Sequence, residues 1–215
     1  MASTRVKICG ITRVEDGIAA ARAGADAIGL VFWSGTPRCV GLEQARAITQ
    51  AMPAFVSIVG LFVDPTPEVV TSTLAAVPLD VLQFHGNEQA DFCASFARPY
   101  IKAVPVKPGV DLLQYASRYG DAQGLIFDAF EPGGLPGGTG KTFDWSELPA
   151  ALQRPLILSG GLTPQNVAAA IRTARPWAVD VSSGVEASDD GRIRKGIKSA
   201  AKIAAFIREV RNADE

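Results

Sequence analysis

The chain opens on Val6-Lys7-Ile8-Cys9-Gly10-Ile11, an apolar run without clean polar alternation. That is the pattern of a strand covered on both faces, as in a parallel sheet. Runs of the same kind recur along the whole chain: Ala27–Phe32, Val56–Val63, Val81–Phe84, Tyr100–Val106, Gly124–Phe127, Pro155–Ser159 and Ala178–Ser182. Helical patterns lie between them. Glu15–Ala23 stops at Gly24, Leu42–Met52 stops at Pro53, and Thr66-Pro67-Glu68 opens a helix through Ala76. Others begin at Asn87, cover Asp111–Tyr119, occupy a short Asp144–Ala150, and run from Thr163 to Thr173. A last helix is predicted over Ile193–Arg211. Eight strands alternating with eight helices predict an α/β fold: a (β/α)8 TIM barrel around a parallel eight-stranded barrel. No linker or change of rhythm interrupts residues 1–215, so one domain is expected.

The bulk numbers narrow the function. Apolar residues make up 47% of the 215, enough for a sizeable core. Twenty-one basic side chains face 22 acidic ones, and no basic stripe or tail argues for nucleic acid or a membrane surface. No signal core or membrane-length apolar run stands out, so a cytoplasmic protein is expected. Cys9, Cys39 and Cys93 are too few and too scattered for a disulfide framework or a metal site, and the single His85 excludes a multi-histidine zinc centre. Cys93, within Asp91-Phe92-Cys93-Ala94, reads as core.

In this barrel the site lies where strands end. Cys9 ends the first strand and Asp128 the sixth, so a thiol and a carboxyl are expected at one mouth, as a proton-transfer pair suited to isomerisation. Ser159-Gly160-Gly161-Leu162 and Asp180-Val181-Ser182-Ser183-Gly184 follow strands seven and eight. Together they read as a phosphate site of backbone N–H groups and hydroxyls. The glycine-rich Gly133–Gly140 segment reads as a loop closing over substrate. Arg38 is a candidate carboxylate fork, although position alone fits an ordinary exposed arginine as well. His85 is either a substrate contact or base, or a buried structural histidine, and Asp64 reads as a helix cap.

These segments, with Gln83-Phe84-His85-Gly86, Phe127-Asp128-Ala129 and Phe143-Asp144-Trp145, closely resemble the phosphoribosylanthranilate isomerases, collinearly over essentially the whole chain. Departures are small: Phe84 stands where leucine is common, and Cys39 follows Arg38 in place of an aromatic. The resemblance implies an Amadori rearrangement in tryptophan biosynthesis, with Cys9 as general base, Asp128 as general acid and Arg38 on the anthranilate carboxylate. The substrate is then a phosphorylated small molecule, no cofactor is implied, and the family contains monomers and homodimers. As a base, Cys9 should ionise at or below the usual thiol value of about 8.5. The alternatives are another phosphosugar isomerase or a catalytically silent phosphosugar-binding barrel.

Overall fold

A computed structural model describes residues 3–107, 109–129, 142–149 and 152–215. Eight parallel strands close into a barrel in sequence order: β1 (Arg5–Cys9), β2 (Ala27–Val31), β3 (Ser57–Phe62), β4 (Val81–Phe84), β5 (Tyr100–Val106), β6 (Gly124–Ala129), β7 (Leu156–Leu158) and β8 (Ala178–Val181). β8 pairs with β1, Lys7 opposite Asp180, which completes the ring. Every strand expected from the sequence is present, with ends shifted by no more than two residues.

The strand period of two divides the apolar side chains between two cores. Outward residues such as Ile8, Leu30, Phe62 and Leu82 pack under the helices. Phe84 belongs to this outer layer, its ring against Phe92 and Phe96. Cys93 is fully buried there, as expected. A separate inner cluster of Val59, Ile101, Ala103, Ile126, Ile157 and Ala178 fills the lower barrel. Polar inward residues are thereby confined to the upper rim.

The helices are α1 (Val14–Ala23), α2 (Leu42–Gln50), α3 (Pro67–Ala76), α4 (Ala90–Ala94), α5 (Leu112–Ser117), α6 (Val167–Ala174) and α7 (Ala200–Asp214). Gly24 ends α1 in the left-handed region at φ 97°, and its N–H returns to Ala20 and Ala21. Two helix expectations are corrected. The segment from Asp144 forms only a 3-10 turn, Trp145–Glu147, capped by Asp144; Leu148 is extended because Pro149 follows it. The segment from Ile193 is not helical at its start. β9 (Glu186–Asp189) and β10 (Arg192–Lys198) form an antiparallel hairpin, and α7 begins only after Ser199 caps it. Asp190 and Gly191 both have positive φ, 48° and 78°, which is the requirement of a tight two-residue hairpin turn. No helix among the described residues is long and apolar enough to cross a membrane.

Candidate active site

Gly10, at φ 72°, follows β1 and turns the chain just above Cys9. Cys9 points inward and packs with Val31 and Leu61, beside Trp33 and Val63. Lys7, one inward position lower, reaches across to β8 and donates to Asp180 Oδ1 at 2.8 Å, both groups buried. Gly29 on β2 makes room for both: a Cβ there would stand 2.9 Å from Cys9 Sγ and 3.1 Å from Lys7 Nζ. Burial opposes the charge on Lys7, but Asp180 and Cys9 hold its ammonium above the usual value.

Burial also pushes the Cys9 thiol up; Lys7 pulls it down, and Asp180 reinforces the rise. The expectation of a thiol at or below its ordinary value is therefore corrected. Cys9 lies in an apolar wall, and the Lys7 charge it would use is shared with a carboxylate.

Asp128 ends the inward face of β6. His85 Nε2 lies 3.2 Å from Asp128 Oδ2, both side chains nearly buried. The other imidazole nitrogen, Nδ1, lies 3.1 Å from Gln83 Nε2. An amide N–H donated to Nδ1 leaves the imidazole proton on Nε2, facing Asp128. Asp128 Oδ1 sits against the next loop, since a Cβ on Gly160 would come within 2.9 Å of it. Ser159 Oγ meets Asp180 Oδ2 at 3.4 Å. A polar chain thus runs around the rim: Cys9, Lys7, Asp180, Ser159, then the β7 loop against Asp128 and His85.

The two glycine loops meet. Gly160 and Gly161 both have positive φ, 88° and 61°, a backbone that only glycine adopts readily and that leaves the turn bare of side chains. Ser182 leads into a 3-10 turn, Ser183–Val185, and a Cβ on Gly184 would overlap the Leu162 carbonyl. Asn166 locks the first loop: its Nδ2 donates to Gly161 O, and its Oδ1 accepts from Thr163 N. That lock also delays α6 beyond the predicted start at Thr163. Asp180 lies below this turn as the partner of Lys7.

Arg38 is buried, 6% exposed, lying over Gly10: a Cβ on Gly10 would meet its Cδ at 2.7 Å. It forks side-on to Glu186, Nε to Oε1 at 2.7 Å and Nη2 to Oε2 at 3.0 Å. Reading Arg38 as an ordinary exposed arginine is thus excluded. Asp64 is corrected too. It does not cap α3; at φ 44° its Oδ1 accepts from Asn87 N, tying two rim loops together. The Gly133–Gly140 segment lies outside the described residues.

Several contributors carried no sequence signal. Glu88 accepts from Asp64 N and Gly86 N and pairs with buried Lys102 at 3.2 Å; Lys102 also donates to Gly86 O. This cluster holds the turn after His85. Lys198 falls in the segment expected to be helical but ends β10, and its side chain is fully buried beside Glu186 and Ser182. Among the described residues, no three His, Cys, Asp or Glu side chains gather as a metal site.

Comparison with known proteins agrees with this geometry. The family model for N-(5'phosphoribosyl)anthranilate (PRA) isomerase matches residues 6–209. An N-(5'-phosphoribosyl)anthranilate isomerase of Pseudomonas fluorescens is 54% identical over 213 residues, covering 99% of this chain and 98% of the relative. The crystal structure of phosphoribosyl anthranilate isomerase from Thermotoga maritima superposes with a TM-score of 0.86 at 39% identity, covering 97% of this chain and 99% of that one. A phosphoribosyl anthranilate isomerase in complex with reduced 1-(o-carboxyphenylamino)-1-deoxyribulose 5-phosphate gives a TM-score of 0.81 at 38% identity, covering 97% and 99%. A barrel with this rim, matched almost end to end at more than half identity, belongs to the phosphoribosylanthranilate isomerase family of tryptophan biosynthesis.

Proposed function

We propose that the chain converts N-(5'-phosphoribosyl)anthranilate to 1-(2-carboxyphenylamino)-1-deoxyribulose 5-phosphate, with Cys9 as general base and Asp128 as general acid. The observation that carries this reading is the pairing of family membership with an inward thiol and an inward carboxyl on one strand-end rim. The substrate phosphate sits on the β7 and β8 turns, Gly160, Gly161, Ser182, Ser183 and Gly184. Its ring carboxylate meets the Nη1 edge of Arg38, which the side-on fork to Glu186 directs away from that residue.

Asp128 delivers a proton to the furanose oxygen as the C1′–O bond opens. The anthranilate nitrogen supplies the electron pair and becomes an iminium. His85, held by Gln83, occupies Oδ2, which leaves Oδ1 to carry the proton. The Cys9 thiolate then removes the C2′ proton; the electrons of that C–H bond reduce the iminium, giving an enolamine that tautomerises to the ketone. Lys7 stands beside the thiolate as its counter-charge.

The test is loss of anthranilate fluorescence after mixing with freshly generated phosphoribosylanthranilate. Wild type should turn over, and Cys9→Ser and Asp128→Asn should each lower kcat by about 10²–10⁴-fold, the range of a positioned acid or base. A loss of about threefold or less in either variant removes that residue from the mechanism. A silent binding barrel gives no fluorescence change in wild type.

A further inference from the structure

Apart from His85–Asp128, buried ion pairs occur at three places among the described residues. Lys7–Asp180 and Lys102–Glu88 each pair one charge of either sign. The third grouping is unbalanced. Glu186 is fully buried and faces two cations, Arg38 at 2.7 Å and Lys198 at 3.4 Å. Its Oε1 also accepts from Gly196 N at 2.8 Å. Lys198 Nζ donates in addition to Ser182 O at 3.0 Å and Ser182 Oγ at 3.3 Å. One ammonium therefore joins the turn read as the phosphate site to the carboxylate that holds Arg38. An unbalanced buried charge is expensive unless an anion completes it.

We propose that Lys198, acting through Glu186, is a positioning residue for substrate: it holds the Arg38 fork against the Ser182 turn and supplies the surplus positive charge that the ring carboxylate neutralises. This rests on Arg38 as the carboxylate-binding group. Lys198 does not touch substrate.

The titration follows from the surroundings. Burial pulls the Lys198 ammonium down to about 8; Glu186 opposes that, and Arg38 adds to it. The other charged groups facing this lysine are Cys9 from β1, Asp16 of α1, whose Oδ2 accepts from Lys198 N, and Lys202 of α7, whose Nζ donates to Glu186 O. The Lys7–Asp180 pair lies beyond Cys9. Lys198 is mostly charged at pH 7 and mostly neutral at pH 9. An anion at Arg38 favours the charged form, so binding at alkaline pH takes up a proton. If tight binding needs the charged form, affinity falls about tenfold between those two pH values.

The experiment is titration calorimetry with reduced 1-(o-carboxyphenylamino)-1-deoxyribulose 5-phosphate at pH 7 and 9, in buffers of different ionisation heat. The proteins are wild type, Lys198→Met, Lys198→Arg and Cys9→Ser. Wild type and Cys9→Ser should both lose about tenfold in affinity at pH 9 and take up a proton. Lys198→Met should bind weakly at both pH values without uptake. Lys198→Arg should bind tightly with no pH dependence, because its charge does not titrate. Wild-type affinity in Lys198→Met, or loss of the pH dependence in Cys9→Ser, overturns the proposal. If Lys198→Met does not fold, a sloping profile in Lys198→Arg overturns it, and a flat one supports it. No binding by wild type refutes the isomerase reading instead.

Discussion

The barrel rim has two unlike walls. Along β1, β2 and β3 the inward residues are Cys9, Val31 and Leu61, with Trp33 and Val63 beside them. Opposite, β4, β6, β7 and β8 present Gln83, His85, Asp128, Ser159 and Asp180, most of them in contact with one another. Lys7 crosses from the first wall to the second, through Asp180. The contrast separates two tasks. A thiol packed among apolar groups keeps its proton longer than in water, and Lys7, the larger of the two charges that favour its ionisation, belongs half to the other wall. The carboxyl opposite faces His85, whose ring Gln83 holds in turn.

The largest expected effect is on the crossing group. Lys7→Met leaves Asp180 buried without its ion partner, at a cost of about 3–5 kcal/mol in urea denaturation. Adding Asp180→Leu should restore much of that loss, since a well-packed apolar pair replaces a buried ion pair at little cost. A Lys7→Met protein destabilised by less than about 1 kcal/mol would show the walls to be independent.

The next effect is on pH dependence. Because the thiol of Cys9 is held up, its thiolate fraction still grows above the usual thiol value of about 8.5. The rate constant for turnover, kcat, should therefore climb through that region, by up to about tenfold per pH unit. A plateau below pH 8 in stopped-flow turnover would mean that bound substrate, or a displaced Asp180, makes Lys7 a stronger partner than the free protein provides.

The smallest effect sharpens the polar wall. Gln83→Leu removes the donor to His85 Nδ1 and should cost about 1 kcal/mol in the activation barrier, roughly fivefold in kcat, with KM little changed. Abolished turnover would make His85, rather than Asp128, the group that delivers the proton.

Strand positions were legible because each strand is an uninterrupted apolar run with a turn signal after it, and the candidate site residues Cys9, His85 and Asp128 sit where those runs stop. The hairpin after β8 was missed although Asp190-Gly191 announces it: the basic, alanine-rich sequence beyond looked helical from Ile193 onward, and only Gly196 and the Ser199 cap mark the true start. Arg38 could not be separated from a solvent-exposed arginine by position, because its burial depends on Glu186 arriving from the other end of the chain. The thiol was misjudged for a related reason. Its low value was expected from the role of base, whereas the burial and the Lys7–Asp180 pair that set it arise only in the folded chain.

By itself the sequence determined which side chains face the axis, since a strand alternates its faces with a period of two and both faces here had to be apolar below the rim. Only the tertiary structure decided their partners. Closing β8 onto β1 brings Asp180 to Lys7 across 173 positions, and the hairpin beyond it carries Glu186 to Arg38 across 148. Ionisation in a buried site depends on those long-range neighbours, and local sequence carries no record of them.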